Sequence, residues 1–355
     1  MRPEDLYPPA GGRPARRPID VRSPGEVAKG ALPGAVALPI LDDDERHAVG
    51  LAYAREGQEA AVAVGERVTA PHLHARRAAW QAAADGEPSA FVCWRGGMRS
   101  DLARTLSERP DTPTVEGGYK AIRRHLMDGL APSLARRTPF VVTGPTGSGK
   151  TDLLHRLAGR GGLLALDLEG AAEHRGSAFG AMGPQPAQAT FEHRLALPLL
   201  LGREPFVLLE DESRNVGGVH LPAAVFDVVR SAPLVRLEVS DAARLHRIHA
   251  AYAAAPARRE GVPAARAALA AAIRRLKRRL GGATTERMVA VLEDAEAQGA
   301  WFDAEAFRAV ILPLLHDYYD PLYRKATPDE GRAVVVRGDE EEVASWIELR
   351  TREAA

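Results

Sequence analysis

The chain has 355 residues, 47 basic against 47 acidic, with 45% apolar and 26% charged content, which suits an ordinary soluble globular protein with enough length for two cores. No stretch approaches the ~20 apolar residues that span a bilayer, no early apolar segment could serve as a secretory signal, and the even charge announces no nucleic-acid binder, although a neutral total can hide a basic face. The single cysteine excludes an internal disulfide framework and a multi-cysteine metal site, and fits a reducing cytoplasm.

In chain order, residues 18–22 are expected as a short strand ending in a turn at Ser23-Pro24-Gly25, and 32–39 as a turn entering a second strand. Residues 43–66 and 71–84 are Ala-rich with helical spacing. Residues 89–93 form a buried strand, followed by a glycine pair, a helix at 100–108, a strand at 112–115 and a helix from Gly118. Strands alternating with helices predict a parallel sheet whose active groups lie at the carboxyl ends of its strands. Cys93 stands at such an end. Residues 131–139 read as a linker. A strand at 140–143 then feeds a helix from Lys150, with further strands at 162–166, 205–209 and 234–239, a largely helical stretch over 241–319 and a last strand at 332–337. The expected organisation is a parallel-sheet α/β domain over 1–130 and a P-loop α/β domain over 131–240. A mostly helical extension over 241–355 follows, whose last strand could return to the P-loop domain.

Two motifs carry chemistry. In Phe91-Val92-Cys93-Trp94-Arg95-Gly96-Gly97-Met98-Arg99-Ser100 the turn can point successive N–H groups inward as a nest for an oxyanion. The helix that follows adds its positive end, which favours the thiolate of Cys93. Arg95 or Arg99 could hold the oxyanion with paired hydrogen bonds. The plainer reading is a buried structural cysteine in a glycine turn, which the glycines and arginines disfavour.

The second motif, Gly144-Pro145-Thr146-Gly147-Ser148-Gly149-Lys150-Thr151, satisfies the phosphate-loop pattern completely, follows an apolar strand and opens a helix. Only five basic residues are lysines, so Lys150 is poorly explained by chance. The loop backbone would wrap a diphosphate, Lys150 would neutralise it, and Thr151 would bind a magnesium ion if one is used. Glu210 and Asp211 end an apolar strand in the manner of the acid that assists such a metal. Arg175 and Arg214, in segments that follow sheet strands, are candidates for diphosphate contact. The motif identifies a diphosphate and not a nucleoside. Three alternatives stay open on these residues: an ATP-dependent sulfurtransferase or kinase fusion, a phosphatase or arsenate reductase, and a non-enzymatic anion-binding module.

Ile19-Asp20-Val21-Arg22-Ser23-Pro24, Leu32-Pro33-Gly34-Ala35 and the Cys93 loop resemble the rhodanese superfamily. The loop has the length found in rhodanese-fold phosphatases and arsenate reductases, one residue longer than in common thiosulfate sulfurtransferases. Where rhodanese relatives often carry a histidine before the Pro-Gly-Ala turn, this chain has Ala31, so no histidine role is carried over. Over nearly its whole length the sequence resembles the tRNA 2-selenouridine synthase family, a rhodanese domain fused to a P-loop domain. Beyond the two loops the likeness runs through Asp44-Glu45-Arg46, Val115-Glu116-Gly117-Gly118-Tyr119-Lys120, Asp167-Leu168-Glu169-Gly170, His174-Arg175-Gly176-Ser177, Glu210-Asp211-Glu212-Ser213-Arg214 and Tyr318-Tyr319-Asp320-Pro321.

The resemblance implies conversion of wobble 2-thiouridine to 2-selenouridine in tRNA. S-geranylation by geranyl diphosphate comes first, then replacement of the geranylthio group by selenium from selenophosphate. It implies no tightly bound cofactor, with geranyl diphosphate and selenophosphate as co-substrates. Gly144, Thr146, Gly147, Ser148, Gly149, Lys150 and Thr151 would hold the diphosphate. Cys93, Arg95 and Arg99 would serve the selenium step. The basic tract over 257–280 would contact tRNA through Arg274, Arg275, Lys277, Arg278 and Arg279, supplying salt-dependent affinity without reading sequence. The competing reading of that tract is a solvated helix face. Tyr318 and Tyr319 could stack on a base, although adjacent tyrosines at a helix end more often pack on a core. A monomer in the cytoplasm, away from membranes, is expected.

Overall fold

The computed structural model describes residues 1–174, 184–326 and 331–353, and the chain divides into two units. Unit 1 comprises Met1–Arg136 and Pro186–Arg203, and unit 2 comprises Arg137–Gln185 and Glu204–Ala355. Residues 131–136 and 186–203, inside the segment expected for the P-loop domain, thus group with unit 1. Among the described residues no helix is long and apolar enough to cross a membrane.

Unit 1 is built on a parallel sheet of β1 (Arg17–Asp20), β2 (Val36–Ala37) and β3 (Ser89–Val92), in the order β2-β1-β3. All four residues of β3 are buried, as a strand covered on both faces requires. Helix Leu73–Gly86 is pinned to the sheet by fully buried Trp80, whose Nε1 donates to the Leu38 carbonyl at 2.9 Å. The strand expected at 112–115 is reduced to one parallel bridge between Phe91 and Thr114. Pro113 has no N–H with which to extend a ladder.

The expected linker is also corrected. Helix Leu130–Ala135 occupies most of it, and Arg136 donates to the carbonyls of Leu199, Leu200 and Gly202 at 2.8–3.1 Å. Those carbonyls end helix Gln188–Leu201, whose buried face of Phe191, Leu195, Leu199 and Leu200 completes unit 1. The same helix reaches Ala31: the Ala31 N–H donates to Thr190 Oγ1, and the Ala31 carbonyl lies 2.9 Å from His193 Nδ1.

Unit 2 holds an all-parallel sheet of β4 (Thr138–Thr143), β5 (Leu163–Leu166), β6 (Phe206–Glu210), β9 (Leu234–Leu237) and β10 (Val334–Gly338), ordered β10-β9-β4-β6-β5. A small hairpin, β7 (Asn215–Val216) with β8 (Val219–His220), follows β6. The phosphate loop leaves the carboxyl end of central β4, flanked by β6 and β9, where ligands of open parallel sheets bind. Helices Asp241–His249, Val262–Arg275 and Gly282–Ala297 enclose a second core around Leu292, Trp301 and Phe307. Two single π-helical turns, Ala250–Ala254 and Leu314–Tyr319, interrupt this helical layer. The chain then re-enters the sheet as β10 beside β9 and ends in helix Glu340–Glu353.

Candidate active site

In unit 1, Cys93 follows β3 at the bottom of the glycine loop. Its sulfur accepts the Gly97 N–H at 3.3 Å and lies 3.3 Å from the Ser100 hydroxyl, at the start of helix Met98–Leu106. Burial pushes the thiol up, but the Ser100 hydroxyl and the amides of Gly97, Ser100 and Arg95 outweigh it and hold Cys93 below the ordinary thiol range. These contacts favour the thiolate over what an apolar burial of the same cysteine would allow.

The loop is shaped by a second glycine turn. Gly96 and Gly118 both have positive φ, and a Cβ on Gly118 would lie 2.2 Å from the Cys93 carbonyl oxygen. The Tyr119 and Lys120 N–H groups donate to the Cys93 and Trp94 carbonyls at 2.8 and 3.2 Å. The Asp20-to-Glu26 segment completes the surround. Ser23 and Glu26 form a capping box on helix Pro24–Ala28, and Glu26 then takes both terminal nitrogens of Arg99 at 2.6 and 3.0 Å. Arg22, fully buried, binds Asp20 at 2.6 Å and lies 3.8 Å over the Tyr119 ring. Of the two arginines singled out from sequence, Arg99 is therefore held by a carboxylate, and Arg95 carries the exposed side chain.

In unit 2, Gly144, Gly147 and Gly149 take positive φ in the phosphate loop, and Ser148 is buried. Lys150 Nζ donates to the Gly144 carbonyl at 3.0 Å and sits 5.0 Å from the Tyr323 ring. Burial alone would lower the Lys150 pKa, but Tyr323, Glu212, Glu169 and Glu210 raise it, so the ammonium stays charged. Thr151 Oγ1 donates to Glu210 Oε1 at 2.6 Å, while Glu210 Oε2 accepts the amides of Leu168 and Glu169. Burial and the nearby Glu169 charge push the Glu210 carboxyl up to about 7. The same causes raise Glu212 well above the carboxylate range.

The two acids at the end of β6 are used differently. Asp211 accepts from Thr143 Oγ1 at 2.8 Å and from Arg332 at 2.9 Å, so it braces the loop, while Glu210 faces Thr151. A cavity of about 810 Å³ opens over the loop, lined by residues 146–152 with Glu169, Glu212, Arg247 and Tyr323 among others.

Sequence reading did not single out the last two. Tyr323 Oη accepts the Gly144 N–H at 3.1 Å, and Arg247 donates to the Gly147 carbonyl at 3.1 Å. Arg244, one helical turn earlier, donates to the Thr146 carbonyl at 3.0 Å and binds Asp320 at 2.5 Å. The available signal was two arginines three apart just after β9, on one face of a helix. Arg214 is exposed, 5.8 Å from the Phe226 ring, and is not among the cavity-lining residues. Arg175 lies outside the described residues.

Arg274, Arg275, Lys277, Arg278 and Arg279 are all exposed, on helices Val262–Arg275 and Lys277–Leu280. Arg279 donates to the Tyr318 hydroxyl, and Tyr319 packs into the helical core.

A parallel sheet with a strand–loop–helix phosphate-loop motif at its centre places unit 2 in the P-loop class of α/β proteins, and unit 1 adds a cysteine-bearing glycine turn to the same chain. The sequence model described as "tRNA 2-selenouridine synthase AAA domain" matches residues 137–354. A protein named tRNA 2-selenouridine synthase from Bordetella bronchiseptica is 39% identical over 349 residues, covering 93% of each chain. Proteins of the same name from Cupriavidus necator and Verminephrobacter eiseniae are 39% and 40% identical, covering 94% and 93% of this chain. The chain belongs to the tRNA 2-selenouridine synthase family.

Proposed function

We propose that this protein is a tRNA-modifying transferase that converts wobble 2-thiouridine to 2-selenouridine in two steps, with a rhodanese-like unit 1 and a prenyl-diphosphate-binding unit 2. In the first step the thione sulfur attacks C1 of geranyl diphosphate. A C–S bond forms, the C–O bond breaks with its electron pair leaving on diphosphate, and N3 of the base gives up its proton. The loop amides, Lys150 and Arg247 stabilise the charge that gathers on the departing diphosphate. In the second step selenium from selenophosphate adds at C2 and expels geranylthiolate, and water cleaves the Se–P bond to release phosphate. Cys93 serves this step with Arg95, while Arg99 positions the loop through Glu26.

The reading rests above all on one observation: a cysteine sulfur held by an amide and a hydroxyl in one unit, and a complete phosphate-loop geometry in the other. Each matches one half of the two-step chemistry. A magnesium ion carried by the diphosphate would be held by Thr151 and Glu210, and would favour the ionised forms of the crowded Glu210 and Glu212 carboxyls. The exposed basic tract around Arg274 to Arg279 suits the tRNA backbone.

Mass spectrometry of nucleosides from thiolated tRNA tests this reading, with geranyl diphosphate and selenophosphate supplied singly and together. A geranylthio base with the first alone, converted to selenouridine with both, is the expected result. An unchanged base in every arm, with ATP turnover that depends on Lys150, would overturn it.

A further inference from the structure

The cavity over the phosphate loop has a side branch. This branch is a narrow slot of about 40 Å³ that shares Thr146, Ile248, Tyr252 and Tyr319 with the larger cavity. Those four residues form the common mouth. Beyond them the slot is walled by Ala253, Leu269, Phe307, Val310, Leu314 and their neighbours, almost wholly carbon. Its histidine, His249, turns Nε2 to the Trp301 carbonyl at 2.9 Å, and burial lowers its pKa, so the wall carries no charge.

Both π-helical turns of the protein's described residues face this slot. Tyr252 and Ala253 come from Ala250–Ala254, and Leu314, Leu315 and Tyr319 from Leu314–Tyr319. A π turn inserts one residue into a helix and widens it, and such turns concentrate at functional sites. Here two of them, from helices separated by more than fifty residues, converge on one apolar opening beside the diphosphate cradle. The turns also bear on the loop itself. Arg244, in the helix that leads into the first, donates to the Thr146 carbonyl and pairs with Asp320, which follows the second.

We infer that this slot receives the far end of the hydrocarbon tail of the diphosphate substrate, the rest of which lies along the shared mouth, and that Ala253, Leu269 and Leu314 set the chain length accepted. The inference rests on the reading that unit 2 binds an allylic diphosphate. A polar head held by the loop leaves its tail at the shared mouth. The only uncharged continuation from that mouth, among the described cavities, is this slot. Ala253→Leu would fill it. Leu269→Ala, at a position that is only partly buried, would lengthen it at small cost to the fold.

The test is calorimetric binding of pyrophosphate and of dimethylallyl, geranyl and farnesyl diphosphates to the full chain, its Ala253→Leu variant and its Leu269→Ala variant. In the parent, geranyl diphosphate is expected to bind about tenfold or more tighter than pyrophosphate, since each buried methylene contributes. Ala253→Leu should lose that advantage while keeping pyrophosphate affinity, which also shows that the loop remains folded. Leu269→Ala should move the preference toward farnesyl diphosphate. A tail-length preference that neither variant changes would overturn the slot assignment while leaving the diphosphate reading intact. Equal affinity of the parent for pyrophosphate and geranyl diphosphate would sink both.

Discussion

The Cys93 loop and the Lys150 loop are both glycine-rich strand-to-helix turns, yet they are held in opposite ways. Around Cys93 the constraint is main chain against main chain. Gly96 and Gly118 interlock with no room for a Cβ, and the neighbouring cation, Arg99, is already neutralised by Glu26. Around Lys150 the constraint is side chain against main chain. Tyr323, Arg244 and Arg247 reach in from distant helices to grip Gly144, Thr146 and Gly147, and an acid cluster faces the lysine. Under the proposed chemistry, the tight pocket suits a single sulfur and the broad cradle suits a diphosphate.

The largest expected effect separates the two loops outright. Cys93→Ala should abolish selenation and leave geranylation near the parent rate, whereas Lys150→Ala should cut geranylation by about a hundredfold or more. Single-turnover assays of each step check both, and loss of both steps in either variant would break the division of labour. Next comes the interlock: Gly118→Ala forces a positive-φ alanine into the Cys93 carbonyl, and should cost about 3 kcal/mol of unfolding free energy. Urea melts of parent and variant measure this, and an unchanged midpoint would mean that the turn relaxes freely.

Replacing Arg274, Arg275, Arg278 and Arg279 together by Glu should weaken tRNA binding and flatten its salt dependence, with diphosphate affinity unchanged. Filter binding across a salt series reports the slope; the parent slope in the variant would remove the tract from the interface.

The smallest effects are titrations. Ser100→Ala should raise the Cys93 pKa toward the ordinary thiol range, visible as a shift in thiolate absorbance with pH. For Glu210 the sign runs the other way. Its folded carboxyl keeps a proton up to about pH 7, while the unfolded chain releases it near 4.5, so its stabilising contribution is lost as pH rises through that window. Glu210→Gln should flatten the corresponding fall in Tm.

Much of this was legible in the sequence because it is local. The phosphate loop, the strand before it and the cysteine turn each lie within one short segment whose glycines and apolar run define the geometry. What escaped is non-local. Tyr323 and Arg332 serve the loop and its brace from more than a hundred residues away, and no spacing rule connects them to Gly144 or Asp211. The run at 131–139 contains two prolines and reads as a linker, yet a short helix forms there because Leu130 and Leu134 are buried and Arg136 caps a neighbouring helix. The role of the Val115-to-Lys120 stretch was equally hidden. Its glycines matter because of what they press against, and only coordinates show that.

The placement of helix Gln188–Leu201 has a bearing on how the protein is made. The ribosome must synthesise the phosphate loop and its first two strands before the last helix of unit 1 emerges. Until then Ala31 and Arg136 lack their partners in helix Gln188–Leu201, and unit 1 is incomplete. A gene fragment ended at Arg136 would share that defect permanently.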